Sequence, residues 1–274
     1  MTTTRSSKFI PQHAIEFKDE QILKALEYAI DKNVPVLLMG ETGTGKTSAI
    51  RWLAKEKGKG FRRLNLNGAT TVDDIKGKIL LNKDGTRWVD GVLVDAVRNG
   101  YWILLDEINA ALPEVLFSIH SLIDEDSMLV LEENEGEVLR PHPDFRVFAA
   151  MNHGYEGTRA LNKAFISRFP IVLNFNYLGW EDVEGKVVNN REVEILMERT
   201  GINEEQAKRI VEMGNILRKN YLKDEISFPI SFRELIACAE LSKAFGEEEA
   251  FRLAIVNKCA PEERNVVFGV YSIK

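Results

Sequence analysis

The chain has 274 residues, of which 45% are hydrophobic and 28% are charged, a balance that excludes disordered, collagen-like and coiled-coil proteins. Its formal net charge of −6 argues against a strong, sequence-independent affinity for nucleic acid. The longest apolar runs are about five residues, far short of the ~20 that span a bilayer. Two cysteines, Cys238 and Cys259, are too few for a disulfide framework. We therefore expect a cytoplasmic protein with no membrane segment.

The residue pattern along the chain predicts an α/β fold. A helix is expected over residues 19–31, where Ile22, Leu23, Leu26 and Ile30 have helical spacing. Five short apolar runs, separated by helical patterns, are typical of strands that are buried on both faces. These elements predict a five-stranded parallel sheet flanked by helices. The predicted strands span residues 34–39, 61–66, 101–105, 145–150 and 170–174.

After residue 180 the apolar strands stop and helical patterns replace them. Asn203 and Gln206 have the spacing of a helix-capping residue and its partner three positions later. Ser231 and Glu234 repeat that spacing. Behind the first cap, apolar residues fall on one helical face. The sequence thus predicts an α/β domain over residues 1–180 and a small helical domain over residues 181–274.

A glycine-rich segment follows the first predicted strand and precedes a helical run at residues 48–57. It fits the pattern G-x-x-x-x-G-K-[ST], in which backbone N–H groups point at phosphate oxygens and the next helix adds its positive dipole end. The lysine reaches the β- and γ-phosphates of a nucleotide, and the last hydroxyl binds Mg²⁺. The predicted nucleotide-binding residues are Gly40, Glu41, Thr42, Gly43, Thr44, Gly45, Lys46 and Thr47.

Polar residues end two of the predicted strands. Asp106 and Glu107 follow the strand at residues 101–105, and Asn152 follows the strand at residues 145–150. Because the carboxyl ends of parallel strands share one edge of a sheet, we expect these side chains beside the phosphate loop. Asp106 is predicted to hold Mg²⁺ while Glu107 polarises the attacking water. Asn152 is predicted to orient that water or to contact the γ-phosphate.

The order of these motifs resembles that of the AAA+ ATPases over nearly the whole chain. The phosphate loop corresponds to Walker A, residues 103–107 to Walker B, and Asn152 to sensor 1. The resemblance implies ATP and Mg²⁺ as ligands and ATP hydrolysis as the activity. It also implies that the α/β domain is a P-loop AAA+ core and that the helical domain is its lid.

Three arginines match positions that act on the nucleotide in that family. Arg168 stands just before the last predicted strand, where the family places an arginine finger that reaches the nucleotide of a neighbouring subunit. Arg159 is a second candidate for this role, and Arg233, at the start of a lid helix, resembles the sensor 2 arginine. An arginine supplied by a neighbour implies that hydrolysis requires a homo-oligomer. The resemblance implies a ring of six subunits.

Two predicted hairpins narrow the resemblance to the MoxR, dynein-related and McrB-like groups. The first, at residues 79–89, has an Asp-Gly turn between apolar residues, which is typical of a hairpin. A G-x-L-x-x-A stretch at residues 91–96 follows it. The second hairpin surrounds residues 132–136 and precedes Asn152. The two hairpins are similar to the helix-2 insert and the pre-sensor 1 insert of those groups.

The resemblance implies that the ring uses ATP to remodel or activate a protein partner, as a MoxR-like chaperone does. The MoxR resemblance implies a partner of the von Willebrand A type. Because the chain contains no Asp-x-Ser-x-Ser metal-adhesion motif, such a partner is expected to be a separate chain.

Two other functions stay open. The first is a nucleic-acid motor or a GTPase similar to McrB, since the sequence does not identify the residues that contact the base. The second is a nucleotide-dependent scaffold, which the filled catalytic positions disfavour. The second hairpin has an acidic tip that would repel phosphates, so we interpret the charges as favouring a protein partner. Its acidic residues are Glu132, Glu133, Glu135 and Glu137, whereas the first hairpin offers Lys83, Arg87 and Trp88.

Overall fold

The computed structural model of the chain describes residues 9–83, 85–124, 127–152, 161–178 and 191–272. The chain divides into two compact units, of which the first runs to residue 175 without residues 41–44. The second unit comprises residues 41–44 and the chain from residue 176 onward. The predicted boundary at residues 180 and 181 lies outside the described residues and stays a prediction. Within the described ranges, no helix has both the length and the apolarity needed to cross a membrane.

A parallel sheet of five strands lies at the centre of the first unit, as the sequence predicts. Among its described residues, this unit has the strands β1 (Val36–Gly40), β2 (Phe61–Asn65), β3 (Gly77–Asn82), β4 (Gly85–Asp90), β5 (Trp102–Asp106), β6 (Leu129–Leu131), β7 (Glu137–Leu139), β8 (Arg146–Met151) and β9 (Ile171–Phe175). In the parallel sheet the order is β2-β5-β8-β1-β9. The register pairs Asn65 of β2 with Asp106 of β5, and Gly40 of β1 with Phe175 of β9. The carboxyl ends of β1 and β5 therefore lie at the same edge of the sheet.

Helices cover both faces of this sheet because successive strand residues point to opposite sides. In β5, Ile103 and Leu105 pack in one apolar core, whereas Trp102 and Leu104 pack in another. The helices of this unit are α1 (Glu20–Lys32), α2 (Lys46–Glu56), α3 (Val72–Lys76), α4 (Val92–Asn99), α5 (Pro113–Ile123) and α6 (Lys163–Ile166). The core on one face takes apolar residues from α3, α4, α5 and α6, and the other takes them from α1 and α2.

Both predicted hairpins form, and each is a two-stranded antiparallel sheet. β3 pairs with β4 from Gly77 and Asp90 to Asn82 and Gly85, and β6 pairs with β7. Asp84, in the first turn, lies outside the described residues. The structure corrects the expectation that Trp88 is available to a partner. Its indole Nε1 donates to Asp90 Oδ1 at 2.7 Å, and its ring is partly buried against the first-unit core.

The structure also corrects the predicted acidic tip at one residue. Glu132, Glu133 and Glu135 are exposed, but Glu137 is partly buried and forms a bidentate ion pair with Arg98 of α4. The hydrogen bonds from Arg98 hold the pKa of Glu137 below its usual value. Arg98 Nε also donates to Asp90 Oδ2 at 2.9 Å, so a single guanidinium holds both hairpins. The sequence could not reveal this pairing because the two partners are 39 residues apart.

The second unit is helical, with its own apolar core. Its helices are α7 (Arg191–Thr200), α8 (Glu204–Leu222), α9 (Phe232–Phe245), α10 (Glu247–Ala254) and α11 (Arg264–Tyr271). The two caps predicted from the sequence are confirmed. Asn203 accepts a hydrogen bond from the Gln206 backbone N–H, and Ser231 with Glu234 forms a complete capping box at the start of α9.

Candidate functional site

Glycines shape the two ends of the phosphate loop in the first unit. Gly40, the last residue of β1, has φ 149°, and a Cβ there would lie 2.2 Å from the Phe175 carbonyl oxygen. Only glycine permits β1 and β9 to approach this closely. Gly45 has φ 94° and caps the N-terminus of α2, a left-handed conformation that glycine adopts without strain. The loop therefore passes from strand to helix with the α2 N-terminus directed at its end.

The Lys46 side chain is buried at the start of α2. Its ammonium Nζ donates to the Gly40 carbonyl oxygen at 2.7 Å and to Asn152 Oδ1 at 2.8 Å. Lys46 and Asn152 are 106 residues apart in the chain, and the structure brings them together as the strand-end prediction expects. The contact places a cation and an amide at the carboxyl edge of the sheet, between β1 and β8.

Thr47 and Asp106, the two predicted magnesium ligands, also meet at this edge. Thr47 Oγ1 donates to Asp106 Oδ2 at 3.1 Å, and the Asp106 side chain is 8% exposed. Two ligands at neighbouring corners of an octahedron around Mg²⁺, each at ~2.1 Å, are about 3 Å apart. The hydroxyl and carboxylate oxygens are thus of the type and at the spacing that one Mg²⁺ requires. The same Asp106 oxygen also accepts a hydrogen bond from Nε of Arg63 of β2 and forms an ion pair with its Nη2.

Glu107 follows β5 in a left-handed conformation, with φ 56° and ψ 42°. This conformation is uncommon outside glycine and is found disproportionately at functional sites. The Glu107 backbone N–H donates to Asp106 Oδ1 at 3.1 Å, which stabilises the turn. Among the described residues, the partly buried Glu107 carboxylate has no hydrogen bond or ion pair. It is therefore available to a water molecule.

Asn109 holds the main chain at Asn152. It lies in the short 3₁₀ turn Ile108–Ala110 after Glu107, and it is 3% exposed. Its Nδ2 donates to the Asn152 carbonyl oxygen at 3.2 Å, while the Asn152 side chain binds Lys46. The ends of β5 and β8 are thus connected by one buried amide.

The tip of the phosphate loop, residues 41–44, belongs to the second unit. Within the tip, Thr44 Oγ1 donates to the Glu41 carbonyl oxygen at 2.8 Å. The Thr42 carbonyl oxygen accepts a hydrogen bond of 2.9 Å from the Tyr177 hydroxyl. A Cβ on Gly43 would lie 2.8 Å from the Ser231 Cβ, so this position is also restricted to glycine. Burial raises the pKa of Tyr177, so its hydroxyl stays protonated as a donor.

Arg168 lies far from the phosphate loop of its own chain. It precedes β9 by three residues, whereas the loop begins at the carboxyl end of β9, beside Phe175. Since β9 spans five residues at about 3.3 Å each, the two positions are separated by roughly 15 Å or more. Arg168 Nε donates to Asp124 Oδ1 at 2.7 Å, and its guanidinium also donates to the Ala164 carbonyl.

The other two predicted arginines are placed differently. Arg233 is exposed in the first turn of α9, and its guanidinium makes no hydrogen bond or ion pair with any residue that the structure describes. It belongs to the second unit. Arg159 lies outside the described residues.

Sequence reasoning missed two polar residues at the sheet edge of the first unit and one at the loop tip in the second unit. Arg63, Asn109 and Tyr177 contact Asp106, Asn152 and Thr42 respectively. One of them left a signal in the sequence, because two consecutive arginines interrupt the apolar pattern of β2. Asn109 and Tyr177 stand in segments whose composition is ordinary for turns. Their roles depend on pairing between distant parts of the chain.

Comparison with protein families gives two matches. Residues 35–169 match the family described as AAA domain (dynein-related subfamily), and residues 192–269 match the family described as CbbQ/NirQ/NorQ C-terminal. The chain is 31% identical to protein CbbQ of Hydrogenophilus thermoluteolus over 80% of this chain and 78% of CbbQ. It is 30% identical to the aerobic cobaltochelatase subunit CobS of Sinorhizobium sp over 92% of this chain and 79% of CobS.

Two further similarities cover smaller parts of longer proteins. The chain is 33% identical to midasin of Dictyostelium discoideum over 80% of its own length but only 4% of midasin. Among solved structures, NtrX from Brucella abortus in complex with ADP superposes with a TM-score of 0.53 at 16% identity. That superposition covers 84% of this chain and 52% of the NtrX chain, and it shows a common fold.

Proposed function

Because this chain belongs to the dynein-related AAA+ ATPases and contains a domain of the CbbQ/NirQ/NorQ C-terminal family, we propose that it hydrolyses ATP in a ring to remodel or activate a protein partner. The observation that carries the proposal is the convergence of Lys46, Thr47, Asp106 and Asn152 at one sheet edge. These residues come from α2 and from the ends of β5 and β8, and they supply the groups that phosphoryl transfer requires.

We propose that Lys46 and the phosphate loop hold the nucleotide, with Asn152 fixing the lysine ammonium. The Asn152 amide contacts Lys46 Nζ at 2.8 Å, which orients the cation before any phosphate binds. Thr47 and Asp106 are the residues that would hold Mg²⁺, since their oxygens have the spacing described above. When bound, Mg²⁺ neutralises charge on the transferred phosphoryl group.

Glu107 is proposed to polarise the attacking water. Glu107 directly follows the proposed metal ligand Asp106, and its left-handed backbone conformation sets the direction in which its side chain leaves the main chain. A general base contributes typically 10²–10⁴-fold to the rate. Arg233 is proposed as the sensor 2 arginine, because its guanidinium has no described partner and is therefore available to a phosphate.

Arg168 is proposed to act on the nucleotide of a neighbouring subunit. It lies at the amino edge of the sheet, opposite the phosphate loop of its own chain, which supports action in trans. Its ion pair with Asp124 is partly exposed, so exchange for a phosphate costs little. A ring, proposed to be hexameric, makes hydrolysis conditional on assembly, because a lone subunit lacks the Arg168 that a neighbouring subunit supplies.

A separate protein is the proposed partner. CobS is by name one subunit of a cobaltochelatase, and this chain covers 79% of it. The exposed glutamates of the second hairpin support a protein surface over a nucleic acid, because they repel phosphates. A von Willebrand A-type protein is a candidate for this role.

Two variants test the assignment of binding and chemistry. Lys46→Ala is expected to abolish nucleotide binding, because the phosphates lose their side-chain counter-charge. Glu107→Gln is expected to bind nucleotide with unchanged affinity and to lose turnover by about 10²–10⁴-fold. Titration of a fluorescent nucleotide and phosphate release measure the two quantities. Turnover by Glu107→Gln at the wild-type rate would refute the role of Glu107.

Mixing two inactive variants tests the ring. Arg168→Ala is expected to lose about 10³–10⁵ in rate, the contribution of an arginine finger. A mixture with Glu107→Gln should regain activity, since some interfaces then combine an intact Glu107 with an intact Arg168. If rings of confirmed mixed composition stay inactive, Arg168 does not act in trans. If Arg159→Ala shows the rescue instead, the role belongs to that residue.

The nucleic-acid alternative is tested at the acidic tip. Replacement of Glu132, Glu133 and Glu135 by Gln leaves Glu137 and its ion pair with Arg98 intact. Assembly and basal ATPase should not change. Affinity for a basic protein partner should fall, with a smaller loss near 1 M salt, where the Debye length is about 3 Å. Tight, salt-sensitive DNA binding by the wild type would overturn the protein-partner proposal.

A further inference from the structure

Arg63 of β2 binds the proposed metal ligand directly. Its Nε donates to Asp106 Oδ2 at 2.8 Å, its Nη2 lies 2.7 Å from the same oxygen, and Thr47 Oγ1 donates to that oxygen at 3.1 Å. The other carboxylate oxygen, Oδ1, accepts from the Glu107 backbone N–H. The guanidinium and the Thr47 hydroxyl thus share the oxygen that would coordinate the metal.

The strand geometry sends Arg63 to this carboxylate. The neighbouring Arg62 points to the other face of the sheet, where it pairs with Asp95 of α4 at 2.7 Å. Asn65, two residues beyond Arg63 on the same face, stands in register with Asp106. Arg63 therefore reaches along its own strand toward the carboxyl edge, while Arg62 provides a matched cation that is not involved in the site.

A guanidinium and Mg²⁺ compete for Asp106 Oδ2. A carboxylate oxygen has two lone pairs, so coordination of a metal at Oδ2 must replace at least one of the present donors. The Asp106 side chain is 8% exposed and the Arg63 side chain is 44% exposed, so solvent screens the repulsion between the two cations only in part. A metal ion that binds without a nucleotide is repelled by the Arg63 guanidinium, and no phosphate charge offsets that repulsion. Metal that arrives with a nucleotide brings the negative phosphates that offset it.

We infer that Arg63 is a positioning residue that acts through Asp106 and makes metal binding depend on the nucleotide. Its guanidinium orients the carboxylate toward Thr47 and disfavours a metal ion that arrives alone. The inference rests on the proposed metal site of Thr47 and Asp106. It concerns the order in which ligands bind, which the roles proposed above do not address.

The test measures Mn²⁺ binding to the full chain by electron paramagnetic resonance, without nucleotide and with ADP. Arg63→Gln is expected to bind Mn²⁺ alone about tenfold or more tightly than the wild type, since one close charge shifts an ionic equilibrium by that factor. With ADP present the difference should shrink toward onefold. Arg63→Lys keeps the charge and should stay near the wild type. Arg62→Gln removes the matched cation and should not differ from the wild type.

Other outcomes distinguish a failure of the inferred role of Arg63 from a failure of the proposed metal site. If Arg63→Gln binds Mn²⁺ with wild-type or lower affinity, or if Arg63→Lys changes as much as Arg63→Gln, the inference is overturned. Arg63→Met serves as the neutral variant if Arg63→Gln does not fold by circular dichroism. Asp106→Asn should lose Mn²⁺ binding in the presence of ADP. If it does not, the proposed metal site itself is wrong, whatever the Arg63 variants show.

Discussion

Buried charges occur in two regions of this chain, and the two regions use them differently. At the sheet edge of the first unit, Lys46 and Asp106 are 6% exposed and are held by side chains from separate elements. In the second unit, Arg218 and Glu192 form a bidentate ion pair at 2.8 Å and 3.0 Å, at 3% and 2% side-chain exposure. Burial alone therefore does not identify a functional site.

The difference lies in how completely the donors and acceptors are used. Arg218 also donates to the Ile230 carbonyl and to Asn215 Oδ1, and its guanidinium stacks 3.7 Å above the Tyr177 ring. Each of its three nitrogens donates to a protein acceptor. The Glu107 carboxylate beside Asp106 has no described partner, and the Asp106 oxygen is shared by exchangeable donors. Incomplete or exchangeable pairing marks the site, whereas complete pairing marks the structural cluster.

Arg218→Met should give the largest loss of stability, because it leaves Glu192 buried without a counter-charge. Removing one partner of a buried pair costs about 3–5 kcal/mol. Urea unfolding measures the loss.

The double variant Arg218→Met with Glu192→Leu is the control for this prediction. It replaces the whole pair by apolar groups and should recover most of the lost free energy. A loss below about 1 kcal/mol for Arg218→Met alone would show that the pair is not the stabilising feature described here.

The contrast also explains which features could be predicted from sequence. The five strands and the phosphate loop are local patterns, and each predicted strand lies within one or two residues of its observed bounds. The confirmed caps at Asn203 and Ser231 are local as well. Pairings across the chain were missed, because composition does not determine which distant residues meet. Arg63 with Asp106 is separated by 43 residues and Arg218 with Glu192 by 26.

Asn109→Leu should give the next largest effect, now on catalysis as well as stability. The buried Asn152 carbonyl would lose its donor, and an unsatisfied buried acceptor costs about 1–3 kcal/mol. Because Asn152 also orients Lys46, we expect nucleotide affinity and turnover to fall together. Nucleotide titration and phosphate release check this. Loss of stability with unchanged kinetics would restrict Asn109 to a structural role.

Tyr177→Phe should have a smaller effect, since it removes one hydrogen bond and keeps the aromatic ring on Arg218. The lost contact to the Thr42 carbonyl is worth about 1 kcal/mol, or roughly fivefold in nucleotide affinity if the loop tip loses its conformation. Tyr28→Phe, at an exposed position of α1, is the control and should change nothing. Equal affinities for both variants would show that Tyr177 does not support the loop tip.

The smallest predicted effect is a pH dependence of the free energy of unfolding that arises at the capping box of α9. Burial alone would raise the pKa of Glu234, but hydrogen bonds from Lys258 and Ser231 outweigh it and lower that pKa below its usual value. In the window between the lowered pKa and the usual one, the unfolded chain binds more protons than the folded chain. The stabilisation is therefore complete above the usual pKa and is lost as the pH falls through the lowered one.

Glu234→Gln can retain the capping geometry, since glutamine also serves at this position, but it does not titrate. The difference in free energy of unfolding between wild type and Glu234→Gln should thus shrink as the pH falls from about 6 to about 3. Urea unfolding across that range measures this difference. Lys258→Gln should reduce the same pH dependence, because it removes the cation that lowers the pKa of Glu234. A difference that stays constant with pH would show that the capping contact, rather than the charge on Glu234, provides the stabilisation.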